Sequence, residues 1–73
     1  MRGKDEFVEL FKQTGDKFYE LVSLVMKDGW YLATMYNRVA GYYKEQAFLY
    51  YTKKEVIHKL RNEYGCIVRK GVV

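Results

Sequence analysis

The chain has 73 residues, a net charge of +4, 49% hydrophobic residues and 30% charged residues. A chain this short is one domain, residues 1–73, and is too apolar to be disordered; about 60% of its unfolded surface is buried on folding, so a partner chain could complete the core. No apolar run approaches the roughly 18 residues that span a bilayer, and Met1 to Glu6 lack the apolar segment of a secretory leader, so a cytoplasmic protein without a membrane partner is expected. Cys66 is the only cysteine, which excludes an internal disulfide.

Charge and aromatics are unevenly distributed. Residues 1–28 hold five Lys/Arg against six Asp/Glu, whereas residues 29–73 hold eight against three and carry seven of the eight tyrosines. In the first part, Phe7, Phe11, Thr14, Phe18, Leu21 and Val25 recur at steps of four and three, which is helical periodicity. Asp5 is a suitable N-cap and Asp28-Gly29 a suitable stop, so the spacing predicts one helix over residues 5–27, bent or split only at Gly15. Such a helix would be about 34 Å long at 1.5 Å per residue and would outreach its own domain. Its stripe of Phe7, Phe11, Phe18, Leu21 and Val25 is therefore the expected interface of a homodimer.

The next segment is rich in aromatic and β-branched residues, and strands are expected over residues 30–37 and 42–51, joined by a turn containing Arg38 and Gly41. A helix through Leu32, Met35, Tyr36 and Val39 also fits the pattern but is the less favoured choice. Alternation places Tyr42, Lys44, Gln46, Phe48 and Tyr50 on one face of the second strand, and Tyr43, Glu45, Ala47, Leu49 and Tyr51 on the other. The face of Ala47, Leu49 and Tyr51 is expected in the core, and Trp30 is expected to anchor that core.

Thr52-Lys53-Lys54-Glu55 fits a capping box and predicts that a second helix begins there, with Tyr51 and Val56 as a hydrophobic staple. Val56, Ile57, Leu60 and Tyr64 form its core side, Glu55 and Lys59 an i, i+4 pair, and Gly65 its left-handed stop. Ile67-Val68 is expected to add a short strand. The fold class is therefore α+β, with a long N-terminal helix, an antiparallel hairpin extended to three strands, and a capped second helix.

Catalytic chemistry is not expected. His58 is the only histidine, no glycine-rich phosphate loop occurs, and His58 and Cys66 fall on different sides of a helix end, so neither cofactor nor metal is anticipated. Lys54, His58 and Arg61 lie at i, i+4 and i+7 and form one basic ridge, which Lys44, Arg69 and Lys70 could extend. With Tyr42, Phe48 and Tyr50 as a platform for bases, these residues point to a non-catalytic protein that binds nucleic acid, single strands preferentially. The alternative is a protein-interaction module, a small regulator or inhibitor, docking through the first helix or the sheet face.

Overall fold

The computed structural model describes residues 5–73, so the reading of Met1–Lys4 as free of a leader lies outside the described residues. The fold is α+β, with elements in the order α1 (Glu6–Thr14), β1 (Tyr19–Lys27), β2 (Trp30–Asn37), β3 (Tyr43–Leu49), α2 (Lys53–Glu63) and β4 (Cys66–Ile67). The strands form one sheet in the order β3-β2-β1-β4, antiparallel except where β4 runs parallel to β1. No helix among the described residues is long and apolar enough to cross a membrane.

The expected helix over residues 5–27 is corrected to a helix followed by a strand. Asp5 caps α1 as anticipated, its Oδ1 accepting from the Phe7 amide at 2.9 Å. The helix ends at Gly15, whose φ of 84° is the left-handed stop and whose amide donates to the Phe11 carbonyl at 2.8 Å. Asp28 and Gly29, read as a helix stop, are instead the two turn residues between β1 and β2, with φ of 41° and 87°. Both central residues at positive φ match the right-handed twist of a tight hairpin, a geometry that Asp-Gly favours.

The expected dimer stripe is dismantled by the same correction. Phe7 and Phe11 belong to α1, Phe18 to the connection, and Leu21 and Val25 to β1. The register of β1 against β2 shifts between Leu21 and Ser23, where Val22 forms a bulge. That extra residue leaves Leu21 1% exposed in the core and sends Val25 to the opposite face, paired with Leu32. Phe7 and Phe18 pack edge to face at 5.2 Å, and the Phe11 ring lies where a Cβ on Gly65 would have to be.

Both helices pack on one side of the sheet. Val8 from α1, and Val56 and Leu60 from α2, close over Tyr19, Leu21, Ala33, Met35, Phe48 and Cys66 in one core cluster. The faces of β3 are the reverse of those expected: Phe48 is 4% exposed beneath the helices, whereas Leu49 is 52% exposed on the other side with Tyr43. Register dictates this outcome, since Phe48 pairs with Tyr31 and Lys44 with Met35, which lie on the helix side of β2. Trp30 pairs with Lys27 and Leu49, so it lies on the open face rather than anchoring the core.

Candidate nucleic-acid interface

The second helix is built as its sequence predicts. The Glu55 amide donates to Thr52 Oγ1 at 3.2 Å, and the Thr52 amide donates to Glu55 Oε1 at 2.8 Å, completing the capping box. Tyr64 closes the helix and Gly65, at φ 64°, turns the chain into β4. Val56 and Leu60 are buried, so the helical period turns Lys54, His58 and Arg61 outward, and all three are exposed. This ridge divides two surface grooves, one lined by Tyr51, Lys54, Glu55, His58, Lys59 and Glu63, the other by Lys54, Ile57, His58, Arg61 and Asn62. The His58 ring is braced by Asn62, whose Nδ2 lies 3.2 Å from His58 Nδ1 and donates to the His58 carbonyl at 2.8 Å.

Among the described residues, neither Lys54 nor Arg61 takes part in an ion pair. Lys59, expected beside Glu55, bridges Glu63 at 3.0 Å instead and lies 5.1 Å from the centre of the Tyr51 ring. Tyr51 also meets the edge of Phe48 at 6.2 Å, which ties the approach to α2 to the core.

Tyr50 stands three residues before the first residue of this helix. Its φ is 66° and its surface is 96% exposed. A left-handed backbone costs a non-glycine residue about 1–2 kcal/mol, and a wholly exposed ring recovers none of that through packing.

The other expected contact residues are distributed differently. Phe48 is buried against Tyr64, with ring centres 5.9 Å apart, and cannot stack on a base. Lys44 is half-buried on the helix side, 2.5 Å from Asp5 Oδ2 and 5.6 and 5.8 Å from the ring centres of Tyr19 and Tyr64. Tyr42 is hydrogen-bonded to Tyr19 at 2.9 Å between hydroxyls. Arg69 bridges Glu20 at 2.6 Å, and Lys70 is exposed in the turn beyond β4. The structure therefore gathers Lys54, His58 and Arg61 along α2, leaves Tyr50 exposed at its entrance, and removes Phe48 and Lys44 to the interior side.

A polar network that sequence reasoning did not anticipate lies under α1. Asp5 Oδ2 accepts from the Tyr19 hydroxyl and from Lys44, both at 2.5 Å, while Asn37 Oδ1 accepts from the Val39 and Ala40 amides at 2.9 and 2.7 Å. Asn37 is fully buried, and its Nδ2 has no hydrogen-bond partner among the described residues. Burial opposes ionisation of Asp5, but the hydrogen bonds from Lys44 and Tyr19, the Lys44 charge and the Phe7 amide together hold its carboxyl below the ordinary range. Burial, and next the bond to Asp5, push the Tyr19 hydroxyl well above a normal tyrosine. The Cys66 thiol is pushed up to about 12 by burial and secondarily by Glu20, so it stays protonated at neutral pH. Asp5, Tyr19 and Lys44 are far apart in the chain, and only the N-cap signal of Asp5 hinted at their contact.

No family model, curated protein or solved structure matches this chain.

Proposed function

We propose that the protein is a non-catalytic nucleic-acid-binding domain acting in the cytoplasm, and that it contacts single strands through Tyr50 and the ridge of Lys54, His58 and Arg61. The observation that carries this reading is Tyr50, an almost fully exposed aromatic ring held on a left-handed backbone next to the capped, basic start of α2. Packing does not account for a tyrosine there, because glycine or asparagine would take the same backbone at lower cost. A base stacked on the ring would account for it, since every base offers a π-face and the neighbouring Lys54 and Arg61 are available to phosphates.

Fluorescence anisotropy with labelled single- and double-stranded oligonucleotides at two salt concentrations tests the proposal. The wild type is expected to prefer single strands and to lose affinity as salt rises. Tyr50→Asn, which suits the left-handed backbone, should weaken single-strand binding by about 1–3 kcal/mol. The same substitution should leave stability equal or raise it by up to about 1 kcal/mol, a combination that a purely structural tyrosine would not give. No wild-type binding at low salt would reject the reading and favour a protein-interaction module using the open face of the sheet.

A further inference from the structure

The sheet face turned away from both helices is largely apolar and carries two charges without an ion-pair partner among the described residues. Register places its central part in three rows across β1, β2 and β3: Lys27–Trp30–Leu49, Val25–Leu32–Ala47 and Ser23–Thr34–Glu45. Lys27 and Glu45 thus occupy diagonally opposite corners. Both are exposed, and neither takes part in an ion pair among the described residues.

We infer that this face is a homodimer interface in which two copies pack sheet on sheet with their strands crossed near a right angle. A two-fold axis lying between the sheets can run in four simple directions relative to this grid. Along the strands it sets Lys27 on Leu49 of the partner subunit, and across them it sets Lys27 on Ser23 of the partner subunit. The diagonal through Lys27 and Glu45 stacks each charge on its own copy, which is repulsive. The diagonal through Leu49, Leu32 and Ser23 sets Lys27 against Glu45 of the partner subunit, and symmetry makes that pair twice. The same rotation lays Trp30 over Ala47 of the partner subunit, a large side chain over a small one, and stacks Leu32 on its own copy. Strands crossing at about 90° form one of the two ordinary ways in which sheets pack face to face.

Area sets the expected strength. Positions spaced about 4.8 Å between strands and 6.7 Å along them give these three rows a flat footprint of roughly 290 Å². A standard interface covers about 800 Å² on each partner, so the dimer belongs in the weak, micromolar class.

Sedimentation of the intact chain, taken up to about 500 µM to exceed a micromolar dissociation constant, tests the inference on wild type, Lys27→Glu, Glu45→Lys and the double exchange. Thermal melts verify that each variant is folded, which is expected because both side chains are exposed. Wild type should dimerise, each single reversal should weaken the dimer at least about tenfold by creating two like-charge pairs, and the double exchange should restore it. A wild-type monomer throughout that range overturns the inference and leaves the face to a different partner. A dimer indifferent to both reversals, or one that the double exchange fails to restore, overturns it as well. None of these outcomes depends on nucleic acid.

Discussion

Asp5 is the residue on which most of the polar architecture converges. One carboxylate oxygen caps α1 through the Phe7 amide, while the other takes the Tyr19 hydroxyl and the Lys44 ammonium, thereby tying the first helix to β1 and β3. Its folded pKa lies below the unfolded value of about 3.9, so its contribution to stability is complete above that pH and disappears as pH falls through the lower folded value. Asn can accept the same capping bond but carries no charge for Lys44. Asp5→Asn should therefore destabilise the protein by about 1–2 kcal/mol at neutral pH, and by progressively less as pH falls below the unfolded value and through the lower folded one. Urea melts across that range would show a flatter acid limb in the variant. An unchanged acid limb would mean that the Asp5–Lys44 pair contributes nothing net.

At the scale of elements, the sequence was legible where a signal is local and was misread where two local signals compete. The capping box at Thr52 placed the start of α2 correctly because both of its hydrogen bonds are made within four residues. Thr52→Ala should accordingly lower stability by about 0.5–2 kcal/mol with the fold retained, read as a shift of the denaturation midpoint. An unshifted midpoint would mean that the cap is dispensable. The boundary of β2 and the turn with Arg38 and Gly41 were legible in the same way. The first element was misread because Leu21 and Val25 are four positions apart, about one helical turn but also two strand repeats, so their spacing did not distinguish the two. Two punctuation signals pointed to the correct answer: Gly15 as a helix stop and Asp28-Gly29 as a hairpin turn. The faces of β3 depended on register against β2 and on a lysine drawn inward by Asp5, and no short window of sequence contains either.

Across the whole molecule, the fold assigns different tasks to similar charges, and that assignment sets the salt response expected of the proposed interface. Lys44, Lys59 and Arg69 are each held by a carboxylate of the same chain, so phosphate contact would compete with Asp5, Glu63 or Glu20. Arg69 also holds the Glu20 carboxyl below its ordinary range, as its hydrogen bond to Glu20 requires. The sequence could list all of these cations, but it could not separate the engaged ones from Lys54 and Arg61, because their partners lie on other elements or depend on a choice between Glu55 and Glu63. Counterion release scales with the phosphates neutralised, so Lys54 and Arg61 should dominate the slope of log affinity against log salt. Lys54→Glu with Arg61→Glu should weaken binding to unrelated sequences alike and reduce the single-strand slope by about 1.4, at roughly 0.7 for each lost contact. Both side chains are exposed and outside the core, so the melting temperature should change little. Anisotropy titrations at four or more salt concentrations would measure the slope, and a slope unchanged in the double variant would remove the α2 ridge from the interface.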